Sequence, residues 1–354
     1  MGFNAETLEQ AVQGEPDWLL DRRRTALSSF ERLPLPSRTD EEWRRTNLAG
    51  LDLPAYARFE QRNGHVPERS ALPSGVIFEP LAIAAQRHAS LIEPLLFSLV
   101  RADRDRFSAL HAAFFTGGKF VYVPDGVTID EPILGQHFSH EGGTSVLPHT
   151  LIVAGKGARF NYLDEYIAEG DETEGYRSGS AEIFVGEGAE VGYVAVQKWG
   201  RNAWHLADQR ARLEKDSTLK LFNVTLGARF SKTRVEASLV GPVARTVYAG
   251  LIRIEKGAAR SDAYQANRNL VLSDKAKATS IPMLEIDNND VRCTHGATVG
   301  PVDPNHLFYL RSRGIPEKTA KRMIVQGFFG QVLDRIPFQQ ARELIEAELE
   351  ARLG

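Results

Sequence analysis

From Lys119 onward the chain consists of short segments of alternating apolar residues, each closed by a tight turn: KFVYVPDGVTI, HTLIVAGKGARFNYL, AEIFVGEGAEVGYV, ARLEKDSTLKLFNV, GLIRIEKGAARSDAY and LVLSDKAKATS. A period of two marks strands, whose successive side chains point to opposite faces. Aligning the turns places Gly126, Gly157, Gly188, Ser217, Gly257 and Ala276 in similar positions, at intervals of 31, 31, 29, 40 and 19 residues. Recurrence without a strict period predicts stacked coils of unequal length. Glycine admits the left-handed backbone at the corners, and inward Val, Ile, Leu and Phe stack into one continuous core. The same strands suit a β-sandwich, but the recurring apolar–Gly/Glu–x–Gly–Ala turn favours the parallel β-helix.

The flanks follow a helical period. Residues 5–31 carry Leu8, Ala11, Val12, Trp18, Leu19 and Leu20 at helical spacing, interrupted by Gly14 and Pro16, which predicts two short helices. Pro34 and Pro36 then enforce an extended linker, and Thr39 or Asp40 can cap a turn through an inward Trp43. The pattern from Leu81 to Phe115 is mostly helical, with a boundary at Pro94. Past Asp303 a helix opens with Pro304 at its first position and stops at Gly314; Pro316-Glu317 opens a second, and a third covers Phe338 to Leu353. These boundaries divide the chain into a mainly helical part, 1–118, a β-helix core, 119–302, and a helical tail, 303–354.

Charge and cysteine use narrow the function. Basic and acidic side chains number 43 and 46, so nothing calls for the phosphate attraction of a nucleic-acid binder. A single cysteine excludes an internal disulfide framework or a complete Cys₄ iron–sulfur site within one chain. With no apolar run long enough to span a bilayer and a polar, amphipathic beginning, a soluble protein of the reducing cytosol is expected. The sequence has no G-x-x-x-x-G-K-[ST], HExxH, GxSxG or GxGxxG; GGKF at Gly117–Phe120 lacks the first glycine and the magnesium-holding hydroxyl. ATP hydrolysis is therefore assigned to another chain.

The lone cysteine lies in DVRCTHGATVG, Asp290 to Gly300. On a strand, Cys293 and His295 point to one face about 7 Å apart at their backbones. A thiol and an imidazole so placed can share a metal ion; equally, Cys293 can serve as a small apolar core residue. Glu285, Asp287 and Asp290 read either as a hard-cation site or as a solvated turn around Asn288 and Asn289. His137, His140 and His149 match no common ligand spacing and are expected at the surface of a Gly-rich loop.

Residues 241–329 resemble the SufB/SufD family of iron–sulfur cluster assembly scaffold proteins. The resemblance rests on YAGLIRIEKGAARSDAYQANRNLVLS (Tyr248–Ser273), PMLEIDNNDVRCTHGATVG (Pro282–Gly300), LFYLRSRGI and MIVQGFF. The CTHGATVG form and the early SRTDEEWRRTNLAGL look like the SufD branch. The resemblance implies a mainly β protein, a right-handed parallel β-helix flanked by helical domains. It also implies pairing with SufB through the β-helix and docking of the ATPase SufC on the C-terminal helices. His295 is then the residue implicated at the SufB junction, with Cys293 its neighbour, and the cofactor a transient iron–sulfur cluster or iron shared with SufB. Leu307, Phe308, Tyr309, Met323, Ile324 and Phe328 are the candidate docking residues, with helix–helix packing as the alternative use of the same side chains. Two rivals remain: a polysaccharide-active β-helix enzyme, and a homodimeric scaffold with no metal role in which Cys293 and His295 simply pack at an interface; exposed last-coil strands also suit self-pairing of the isolated chain.

Overall fold

The computed structural model describes residues 2–353 except 13, 45, 61–71, 171, 242–244, 249–250 and 272–281. Helices α1 (Ala5–Ala11) and α2 (Asp17–Arg32) open the chain; Asn4 caps α1 by accepting from the Thr7 amide. A 3-10 turn at Glu41–Trp43 follows, with Trp43 buried as expected. Next come β1 (Ile77–Pro80), α3 (Leu81–Arg87), α4 (Ala89–Ile92) and α5 (Arg106–Phe114), so the helical part also contributes a strand.

The repeat then forms strands throughout. The first coils contain β2 (Gly118–Val123), β3 (Ile133–Ser139), β4 (Thr144–Val146), β5 (His149–Ala154), β6 (Arg159–Ala168), β7 (Gly175–Arg177), β8 (Ser180–Val185) and β9 (Glu190–Lys198). The later ones contain β10 (Ala203–Leu213), β11 (Thr218–Thr225), β12 (Phe230–Leu239), β13 (Arg245–Tyr248), β14 (Leu251–Ile254), β15 (Asp262–Val271), β16 (Met283–Ile286) and β17 (Arg292–Pro301). Two parallel sheets result, in the orders β2-β5-β8-β10-β12-β14-β16 and β3-β6-β9-β11-β13-β15-β17. The chain alternates between them, making a β-solenoid of about six turns. Antiparallel β1 closes the first edge of the β2 sheet.

Strict register stacks like on like. Ile133, Tyr162, Tyr193 and Leu221 lie side by side on successive strands, all buried between the sheets. Each fully buried aliphatic or aromatic side chain in such a column contributes about 1.5–3 kcal/mol. The corners behave as the glycine pattern requires: Gly126, Gly157 and Gly188 take φ of 69°, 66° and 68°. Two corrections apply: at the fourth turn Asp216, not Ser217, takes the left-handed position with φ 58°, and at the fifth Gly257 does not adopt a left-handed φ. Asp is among the few side chains that tolerate that position. Ala276 and most of LVLSDKAKATS lie outside the described residues.

Both outer faces are covered. Leu8, Leu19, Leu27 and Leu110 of the early helices pack with Phe120, Leu151, Tyr176 and Trp204 of the β2 sheet. On the opposite side lie α6 (Pro304–Ser312), α7 (Glu317–Leu333) and α8 (Gln339–Leu353). Leu333, Ile336, Phe338, Ala341, Ile345 and Leu349 from this tail pack on Leu163, Val194, Val196 and Val224 of the β3 sheet. Asp303 caps α6 by accepting from the Asn305 amide, with Pro304 at the first helical position.

Candidate functional site at the open end of the solenoid

The last coil sets the geometry. Strand β17 pairs with β15, and β16 with β14; among the described residues no strand lies beyond either. In the β15–β17 ladder Ala263 faces Cys293 and Gln265 faces His295. Ala263 belongs to the interior core and Cys293 packs against it, half-buried. By the two-residue period His295 stands on that same interior-facing side, yet it is exposed, with no coil beyond it among the described residues. Met283, Ile286 and Val299 are exposed large apolar residues of the same coil. Burial, and after it the Asp262 carboxylate, push the Cys293 thiol above its ordinary value. At neutral pH it is a thiol that must lose its proton to bind a metal.

Among the described residues no three His, Cys, Asp or Glu side chains come together as a metal-holding group. Cys293 and His295 are thus two donors awaiting others. The acidic residues Glu285, Asp287 and Asp290 are exposed, and Glu285 accepts from Arg253 Nε at 2.7 Å, in keeping with a solvated turn.

The six docking candidates separate into two groups. Phe308 is 74% exposed, and Tyr309 and Met323 are also open to solvent, whereas Leu307, Ile324 and Phe328 are half-buried between or beside the helices. Helix α6 buries no residue at all, so α6 and the start of α7 form a hairpin whose outer apolar side chains have no cover. In α7 Ala320, Val325 and Leu333 are buried, and the packing on the β3 sheet begins at Phe329 and Leu333.

The histidines expected at the surface are a correction. His137 on β3 points into the solenoid and His149 on β5 points outward beneath the helical layer, both buried, while His140, just past β3, is half-buried. Inside the solenoid Asp164 accepts from His137 Nε2 (2.9 Å), Thr150 Oγ1 (3.1 Å), Tyr166 Oη (2.9 Å) and Tyr193 Oη (2.8 Å). Burial lowers the nearby Lys119 to about 8 against the pull of Asp164. Outside the β2 sheet, Ser178 Oγ, His111, His149 and Glu182 form a buried chain with links of 3.0, 3.1 and 3.0 Å. Burial, then His149 and Arg23, hold His111 well below its ordinary value. His137 shares the inward, odd-numbered row of Ile133 and Gly135, which was the available signal. These buried groups are structural anchors, at a distance in the fold from the open coil.

Family comparison decides the affiliation. The description "SUF system FeS cluster assembly, SufBD core domain" matches residues 137–246 and 238–328, and "SufBD protein N-terminal region" matches 56–134. The chain belongs to the SufBD family. Among SufBD relatives, the iron–sulfur cluster assembly protein SufD of Bacillus subtilis (strain 168) is 27% identical, over 96% of this chain and 95% of the relative. A SufBD family protein of Staphylococcus haemolyticus is 25% identical, over 97% of this chain and 92% of its own length. One of Staphylococcus aureus (strain NCTC 8325) is 24% identical over the same shares. The protein is accordingly a SufBD-family iron–sulfur cluster assembly protein, and among its described residues no helix is long and apolar enough to cross a membrane.

Proposed function

We propose that the protein is the SufD-like subunit of a SUF assembly, a non-catalytic cytosolic scaffold that pairs with SufB through its last coil. It docks a SufC ATPase on the α6–α7 hairpin and contributes His295, with Cys293 beside it, to a cluster-building site shared across the SufB junction. The observation that carries this reading is the uncapped last coil, where one thiol and one imidazole occupy the interior row beside unpaired backbone edges. One cysteine and one histidine cannot complete an iron–sulfur site, so the remaining ligands come from the partner and the cluster is cargo. Neutral imidazole suits iron.

The three parts then have separate tasks: 1–118 covers the β2 sheet, 119–302 forms the coil stack, and 303–354 takes the ATPase. With no phosphate loop in this chain, nucleotide hydrolysis belongs to SufC. Closure of two SufC subunits pulls on the hairpins of SufB and SufD. Because the rest of the tail is packed on β6, β9 and β11, the pull reaches the sheet that ends in β17. The isolated chain can use the same open edge to pair with a second copy. In a reconstituted SufB–SufC complex containing this chain, His295→Ala is expected to lower iron and sulfide loading while the complex still assembles; full loading overturns the assignment.

A further inference from the structure

Gln265 sits in register with His295, one strand inward on β15. Its side chain is only 1% exposed, yet its Oε1 accepts no hydrogen bond. A buried amide oxygen left unpaired is destabilising, so it marks a place where a donor belongs. The same interior row holds Ala263 and Cys293 two residues earlier, which puts the Gln265 and His295 side chains on one side of adjacent strands. Neighbouring strands lie about 4.8 Å apart, within reach of a glutamine amide and an imidazole. Among the described residues the His295 ring has no hydrogen-bond partner either. An orphaned acceptor and an unpartnered donor therefore stand side by side at the open end.

We infer that Gln265 is a positioning residue for His295: its Oε1 accepts the Nδ1–H of the imidazole, fixing the ring with the Nε2 lone pair facing out of the last coil. This rests on the reading of His295 as a ligand for the cluster under construction, and adds what prepares it. Metal-binding imidazoles commonly donate their second nitrogen to a carbonyl or carboxylate, which sets the tautomer and the ring orientation. The amide is well suited to a site built for temporary occupancy, because it orients the ring without adding a charge. Glutamine buried beneath an exposed ring also keeps the acceptor out of competition with water.

Full-length protein with ¹⁵N-labelled histidine, kept metal-free, tests the inference by long-range ¹H–¹⁵N spectroscopy, with His295→Ala identifying the resonance. In the wild type His295 is expected in the Nδ1–H tautomer, the opposite of the free neutral side chain's preference. Gln265→Met keeps length and apolar volume but removes the acceptor, and should return the ring to mainly Nε2–H; Gln265→Glu, which restores an acceptor, should recover Nδ1–H. Cluster loading in the assembled complex should fall about 10-fold in Gln265→Met and leave complex formation unchanged. A wild-type ring already in the Nε2–H form, or a tautomer indifferent to Gln265→Met, overturns the inference. If Gln265→Met does not fold, the wild-type tautomer alone decides. A fixed Nδ1–H ring combined with full loading in His295→Ala would leave the Gln265 contact standing and remove the ligand reading.

Discussion

Glu182 on β8 offers the sharpest test of how the helical layer is held to the solenoid. Its Oε1 accepts from the amides of Leu99 (2.6 Å) and Val100 (2.9 Å), and its Oε2 from the amide of Phe97 (2.5 Å) and Nε2 of His149 (3.0 Å). One fully buried carboxylate thus satisfies the turn between α4 and α5, a turn that forces Phe97 to φ 59°. Glu182→Ala strands four donors at about 1–3 kcal/mol each. These terms are not additive, and relaxation of the Phe97 backbone returns about 1 kcal/mol or more. A net loss of about 4 kcal/mol is expected. Glu182→Gln keeps Oε1 with its two amides and should lose only about 2 kcal/mol. Hydrogen exchange of the α5 amides reads this directly, since about 1.4 kcal/mol corresponds to tenfold in the opening equilibrium. Protection should fall by roughly three decades in the alanine variant and half as many in the glutamine variant. A loss below about 1 kcal/mol for alanine, or equal losses for both, would refute the anchoring argument.

Two further outcomes follow from the same structure. Burial pushes His205 down to about 3 and His111 well below its ordinary 6.5, so the unfolded chain binds the extra protons: their contribution is complete above pH 6.5 and shrinks as pH falls, by up to about 1.4 kcal/mol per unit each. Asp208, raised to about 6 by burial despite Arg234, acts with opposite sign between about 6 and 3.8, so His205→Asn should flatten the acid limb of stability measured by urea unfolding at several pH values. An unchanged slope counts against a neutral buried His205. For the hairpin, Phe308→Asp should weaken SufC capture at least about 10-fold with stability within about 0.5 kcal/mol of wild type, since the ring touches little in this chain; undiminished capture places the docking surface elsewhere.

Much of this fold was legible because solenoid physics writes itself into local sequence. The period-2 runs fixed the strands, and the glycines at 126, 157 and 188 mark corners that do take left-handed backbone. Ser217 was misplaced by one residue because Asp216 takes the glycine's role there, and a short polar side chain that tolerates αL leaves a weaker mark than glycine. The family signature singled out Cys293 and His295, but neither their coil nor their state: that Cys293 is half-buried and His295 exposed follows from where the described stack ends, a fact no window of sequence contains. The buried histidines were missed for a related reason. His137 and His149 are satisfied by Asp164 and by Glu182, residues 27 and 33 positions away, brought alongside by the coil pitch. Gln265 looked like any polar residue until the ladder set it beside His295.

The solenoid is finished at one end and unfinished at the other. Antiparallel β1 reverses direction and ends the β2 sheet, while β16 and β17 present a parallel ladder with its next rung absent among the described residues. A chain that added that rung, as proposed for SufB, would inherit a ruler. Because facing alternates with every residue, a join offset by a single position would aim the newcomer's ligands away from His295 and toward solvent, with almost the same hydrogen bonds made. Correct chemistry at such a junction is therefore a question of alignment before it is one of affinity: two chains can bind tightly and still assemble nothing.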